Sequence, residues 1–111
     1  MSDQQHQKPI RVADGDELDD VLASHDRVLV EFYTTGCAIC AAIEPVLGNV
    51  ARQTGVTVAM ANPGDDVTLV DEWGIRSAPT LVLVEDGEEV ARLDEGFQGG
   101  DAIEEFLAEN T

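Results

Sequence analysis

Two cysteines lie three positions apart in the stretch TTGCAIC, residues 34–40, and the chain has no others. Cys37 and Cys40 follow an apolar run and precede a helical pattern. Such a pair can be a working dithiol, part of a metal site, or two small core residues with no chemistry. A structural zinc site takes four ligands. Beyond the thiols the chain offers His6, in a polar tail, and His25, at a predicted helix end. Free cysteine is often buried and inert, yet both residues fall at a loop-to-helix junction beside Gly36. A helix N-terminus presents unpaired amide N–H groups and the positive end of the peptide dipole. Both stabilise a thiolate and make it a nucleophile near neutral pH. A sulfur three residues on lies about one turn away, within disulfide reach. The dithiol reading is preferred: Cys37 attacks a substrate disulfide, and Cys40 resolves the mixed disulfide.

The elements that must hold this pair follow from periodicity. Pro9 to Val12 is a short first strand. Asp14 with Glu17 three residues later is a capping-box start, and Leu18, Val21 and Leu22 give a helix over residues 15–24. VLVEFY, residues 28–33, is a strand buried on both sides. Ile43, Val46, Leu47, Val50 and Ala51 mark a helix running from the cysteines to Thr54, kinked at Pro45 and ended by Gly55. VTVAMA, 56–61, is a strand, and Val67, Leu69 and Val70 suggest a short helix. TLVLVE, 80–85, is a strand joined through Asp86-Gly87 to another near 89–93. A final helix has Asp101 as its expected cap and Ile103, Phe106 and Leu107 as its apolar face. Early strands alternate with helices and favour parallel pairing, and the terminal hairpin adds antiparallel strands.

A chain of 111 residues is one domain able to bury its own core. The expected division is a flexible tail over 1–8 and a single domain over 9–111. Charge is the unusual feature: 23 acidic residues against 6 basic ones, net −17, spread over almost every polar segment. Even spreading argues against a binding tail and for a halophile's hydrated surface, whose self-repulsion is screened by salt. It also excludes nucleic acid as a partner, since no basic patch exists. No segment is long and apolar enough to span a membrane, and MSDQQHQKP has no apolar core of a signal peptide. A cytoplasmic location is therefore expected, where a cysteine pair is more often catalytic than structural.

Beyond its tail, the chain resembles the thioredoxin family over nearly its whole length. The landmarks occur in order: LVEFY, then Cys37-Ala38-Ile39-Cys40, Pro45, WGIRSAPTLVLVEDGEEV and Gly96. The resemblance implies a three-layer α/β/α sandwich with a central mixed five-stranded sheet and four helices. It implies that Pro79 is cis, in a loop facing the dithiol, with the Ala78 backbone pairing with an extended substrate segment. Glu31 falls where the family carries a buried aspartate that helps deprotonate the resolving cysteine. Independently, a carboxylate inside VLVEFY is costly without a task or a partner.

The departures are as informative. The family's usual Trp-Cys-Gly-Pro-Cys is here Gly36-Cys37-Ala38-Ile39-Cys40. A rigid aromatic flank is thus missing, Gly36 loosens the approach to Cys37, and Ile39 alters the first helical turn. Met60 stands where a lysine often approaches the buried carboxylate, and Trp73 reads as packing. No charge occurs from Phe32 to Ile43, which gives an uncharged docking patch around the thiol.

The chain is therefore expected to be a protein-disulfide reductase. Cys37, Cys40 and Glu31 are its catalytic residues, and Gly36, Ala38, Ile39, Ala78 and Pro79 contact the substrate. No bound cofactor or metal is implied beyond the redox-active disulfide. Expected partners are disulfide-containing proteins and a recycling enzyme of the thioredoxin-reductase type, with the protein itself a monomer. The rivals are an oxidant or isomerase-like variant and a non-catalytic binding subunit of the same fold. Retention of both cysteines weighs against the last.

Overall fold

The computed structural model describes residues 8–110, so His6 and most of the expected tail lie outside it. In chain order the elements are β1 (Ile10–Arg11), α1 (Gly15–Ser24), β2 (Arg27–Phe32), α2 (Ala38–Thr54), β3 (Thr57–Ala61), α3 (Thr68–Trp73), β4 (Thr80–Glu85), β5 (Glu88–Leu93) and α4 (Gly100–Glu109). The five strands form one sheet in the order β1-β3-β2-β4-β5. β3 pairs parallel with β1 and β2, whereas β4 pairs antiparallel with β2 and β5. This is the mixed sheet expected from the sequence.

Side-chain alternation divides the core into two layers. Leu29, Val58, Leu81 and Leu83 face α2 and α4, where they meet Ile43, Leu47, Val50, Ile103, Phe106 and Leu107. Val28, Val30, Phe32, Ala59 and Val82 face the other way, against Leu18 of α1 and Leu69 of α3. β2 is buried from Val28 to Phe32 because it lies mid-sheet with helices on both faces. Its C-terminal end leads straight into α2, and this handover positions the cysteines.

Local chemistry accounts for most boundaries. The Glu17 N–H donates to Asp14 Oδ1 at 2.9 Å, and Glu17 Oε1 accepts from the Ala13 N–H at 2.8 Å. The box therefore closes one residue before the cap. α2 ends at Gly55, whose φ of 78° suits glycine and whose N–H reaches the Ala51 carbonyl. The helix continues through Pro45 as one element, and the Ala41 carbonyl that loses its partner belongs to an exposed residue. Asp86 and Gly87, at φ 53° and 83°, form the two-residue turn with both central residues left-handed that suits a twisted hairpin.

One expectation is corrected, and two expected elements carry detail the sequence did not show. Asp101 does not cap α4: the N-cap is Gly99, with no side-chain cap, and Asp101 lies in the first turn near the positive dipole end. Of Val67, Leu69 and Val70, only Leu69 enters the core. β5 carries a bulge, since Leu83 pairs with Ala91 but Val84 with Glu89, so Val90 is the extra residue and is exposed.

Replacing Asp14 by alanine removes the cap of α1 and should cost about 1 kcal/mol. The loss would be read as a lower urea midpoint at unchanged slope. An unchanged midpoint would mean that burial of Leu18 alone holds the helix.

Candidate active site

The site begins with the start of α2. Cys37 is the N-cap, and its Sγ accepts the Cys40 N–H at 3.1 Å. One of the helix's orphan amides is thus satisfied by sulfur, the interaction that stabilises a thiolate once the disulfide is open. Cys37 and Cys40 are joined as a disulfide, with their Cα atoms 5.2 Å apart. The two are not equivalent: Cys37 is half-buried, whereas Cys40 is 4% exposed. An incoming sulfur therefore reaches Cys37 first.

The loop before the helix is braced from β3. The Tyr33 N–H donates to the Ala61 carbonyl, and Asn62 Nδ2 donates to Thr35 Oγ1 at 3.2 Å. Gly36 then adopts φ 82°, in the left-handed region, and no atom lies within 4 Å of the position a Cβ would take. Backbone conformation, not lack of space, explains this glycine.

The Ala78-Pro79 peptide is cis, as the resemblance implied. Its loop meets the dithiol: Cys37 Sγ lies 3.8 Å from the Ala78 carbonyl oxygen. Thr80 Oγ1 donates to the Ser77 carbonyl at 2.7 Å and holds the turn. Pro79 is buried, Ala78 half-buried, and Ala38 and Ile39 are exposed at the start of α2. The structure thus brings together Gly36, Cys37, Ala38, Ile39, Cys40, Ala78 and Pro79.

Glu31 lies lower, inside the sheet. It is 0% exposed, and neither carboxylate oxygen has a hydrogen-bond partner among the described residues. Register places it beside Met60 on β3 and Leu81 on β4, on the face covered by α2. Its pKa is raised from 4.5 to about 7, chiefly by burial, with the Glu44 charge adding to the rise and the Arg11 charge opposing it. Met60 supplies no charge, as its type requires.

A cleft of about 410 Å³ opens beside the disulfide, lined by residues that include Arg11, Tyr33, Cys37, Cys40, Glu44 and Met60. The sequence reading missed Arg11, Tyr33 and Glu44 as members of the site. Glu44 had a legible signal, four residues after Cys40 on one helix face. Arg11 had none, because its place depends on the pairing of β1 with β3. A second cleft, of about 370 Å³, runs past Thr34 to Val70, Ile75 and Ala78 of the cis-proline loop. Trp73 is half-buried and packs on Phe32 with ring centroids 5.4 Å apart, at the edge of the core, a packing role as read. His25 lies at the opposite end of β2 from the cysteines, bonded to the Val21 carbonyl of its own helix. It cannot share a metal with them.

The thioredoxin family model matches residues 9–109. A thioredoxin of Mycobacterium bovis is 36% identical over 95 residues, covering 84% of this chain and 82% of that one. The solved structure of a mutant thioredoxin from Halobacterium salinarum NRC-1 is 37% identical, with a TM-score of 0.88 over 96% of this chain and 93% of that one. It fits the halophilic character read from the charge. A bifunctional thioredoxin reductase/thioredoxin of Mycobacterium leprae is 34% identical over 86 residues, which span 76% of this chain and 19% of that one.

The raised pKa makes a prediction for stability. The protonated carboxyl is favoured in the folded state, so Glu31 is tolerated fully below pH 4.5 and opposes folding increasingly as pH rises through about 7. Glu31→Gln should match the parent near pH 4 and exceed it by about 3 kcal/mol at pH 8, from the shift between 4.5 and about 7. Denaturant unfolding of both proteins across this range measures the difference. A pH-independent gap would show that Glu31 titrates normally.

Proposed function

Because the chain belongs to the thioredoxin family and is a thiol–disulfide oxidoreductase, we propose that Cys37 is its nucleophile, Cys40 its resolving thiol and Glu31 the proton acceptor between them. The observation that carries this is the asymmetry of the pair. Cys37, the more open sulfur, receives a helix amide and faces the Ala78 carbonyl, whereas Cys40 is buried on the α2 face that covers Glu31.

In the reducing direction the Cys37 thiolate attacks one sulfur of a substrate disulfide. A Cys37–substrate disulfide forms, and the second substrate sulfur leaves as a thiolate. Cys40 passes its proton to the Glu31 carboxylate, and its thiolate attacks Cys37 Sγ. The Cys37–Cys40 disulfide closes and the first substrate sulfur departs as a thiolate. The substrate gains two electrons, the dithiol loses two, and the protons end on the released thiolates. The redox group is the cysteine pair itself, and no further cofactor enters the cycle.

Substrate docks as an extended segment along Gly36, Ala38, Ile39 and the Ala78-Pro79 loop, with the backbone of Ala78 as its hydrogen-bonding edge. The lack of charge from Phe32 to Ile43 supports broad use of disulfide-containing proteins. Recycling falls to a separate reductase of the thioredoxin-reductase type. The fused name of the Mycobacterium leprae relative supports that pairing. The protein works as a cytoplasmic monomer, since a net charge of −17 opposes self-association at low salt. Nucleic acid is not a partner, because the few arginines are scattered and Arg11, Arg27 and Arg92 are engaged in ion pairs. No described helix is long and apolar enough to cross a membrane, and a membrane plays no part in the cycle.

Single-cysteine variants test the assignment. Cys40→Ser should accumulate disulfide-linked adducts with a protein substrate on non-reducing gels, and Cys37→Ser should form none. Adducts formed by Cys37→Ser would reverse the roles. Glu31→Gln should leave adduct formation unchanged and slow its resolution roughly 100-fold. The reduction potential of the pair, equilibrated against a thiol buffer in molar potassium chloride, should fall near about −270 mV. A value above about −200 mV would make the protein an oxidant or isomerase-like variant.

A further inference from the structure

Two charges beside the dithiol are not used by the cycle above. Arg11, at the end of β1, and Glu44, in the second turn of α2, form an ion pair of 2.8 Å. Both line the cleft that also contains Cys37, Cys40 and Met60. The Arg11 guanidinium also lies over the Tyr33 ring, 5.1 Å from its centroid, so it is held from two sides. With side chains 51% and 43% exposed, the pair contributes little to stability, about 1 kcal/mol at most.

Its placement relative to Glu31 is specific. Arg11 pairs in register with Met60, and Met60 with Glu31, so the three form one row across β1, β3 and β2 on the face under α2. Glu44 lies one helical turn beyond Cys40 on that helix. Around Glu31, β1 contributes Arg11, β2 contributes Tyr33 two residues along, and α2 contributes Cys37, Cys40 and Glu44. β3 and β4 contribute Met60 and Leu81, and α4 turns Ile103, Phe106 and Leu107 to this face, all without charge. Neither Glu31 oxygen has a direct partner among the described residues. Its proton is therefore governed by burial and by these two fields of opposite sign.

We propose that the Arg11–Glu44 ion pair is a positioning pair for disulfide exchange, holding a positive and a negative charge at fixed places beside the dithiol and so governing when Glu31 can take the proton of Cys40. This rests on Glu31 as proton acceptor. Arg11 favours the ionised carboxylate that receives the proton, and Glu44 favours the protonated acid that holds it. Tying the two together keeps either charge from dominating. Arg11 and Glu44 touch neither substrate nor reacting sulfur in this scheme; they act through Glu31.

The test follows the Glu31 carboxyl carbon by NMR through a pH titration of the reduced, full-length protein at low ionic strength. The pH profile of mixed-disulfide resolution is measured in parallel. Glu44→Gln should lower the Glu31 midpoint and Arg11→Gln should raise it, each by roughly half to one pH unit. Arg11→Lys, which keeps the charge, should stay near the parent. The resolution profile should move in the same directions, and molar salt should shrink both shifts as screening tightens to about 3 Å. Melting curves confirm that these surface variants fold. Midpoints that stay fixed, or move in one direction for both variants, overturn the positioning role while leaving Glu31 as acceptor. A Glu31→Gln protein that resolves mixed disulfides like the parent overturns the acceptor reading, and the positioning role falls with it.

Discussion

An acidic side chain with no hydrogen-bond partner among the described residues lies in the middle of the sheet, and much of the architecture can be understood as what keeps Glu31 there. Every neighbouring strand position is apolar: Met60 on one side, Leu81 on the other. A shift of β2 by a single residue would send Glu31 to the opposite face, against α1 and α3, and expose the alternating leucines and valines to the wrong layers. The register of the central strand is therefore fixed by its neighbours on both faces. The apolar run from Val28 to Phe32 supplies the burial that offsets one costly residue. Because β2 ends at Phe32 and α2 begins at Ala38, the same register also determines where the cysteines emerge.

The electrostatics of the helix start follow from contact distance. A thiolate on a chain of net charge −17 meets a repulsive field from the surface acids. The Cys40 amide acts on Cys37 Sγ from 3.1 Å. At molar salt the screening length is about 3 Å, so distant carboxylates are attenuated while a donor in direct contact is not. A halophilic protein can thus carry an extreme surface charge and keep a nucleophilic sulfur. The segment from Phe32 to Ile43 itself adds no charge there, and the nearby Glu44 carboxylate is paired with Arg11.

Legibility in the sequence tracked how local the deciding interaction was. The apolar run of β4, the Asp86-Gly87 turn and the Asp14/Glu17 box are decided by neighbours in sequence, and each lay where expected. The Asp101 cap failed because Gly99 and Gly100 let the backbone begin α4 earlier, and glycine leaves no side-chain signal. Val67, Leu69 and Val70 marked the short helix correctly, although its six residues bury only one side chain, Leu69. The dithiol and its cis-proline loop were legible as an ordered series of landmarks. The place of Arg11 in the cleft was not, because it requires knowing that β1 lies beside β3 and in which register.

The altered motif changes what a docking partner meets. Gly36 at φ 82° means that any side chain there would strain the backbone, so an aromatic flank cannot simply be restored at that position. Apolar contact passes instead to Ile39, 44% exposed at the start of α2. A branched aliphatic on a helix is stiff about its first torsion, and it presents area without the flat face that stacks on one preferred partner. In the docking mode proposed above, recognition would rest on backbone groups of the Ala78 loop, which every extended polypeptide can match, and on small apolar contacts that strong salt does not weaken. Such a surface discriminates little among sequences. That suits an enzyme whose substrates share a disulfide and not a motif.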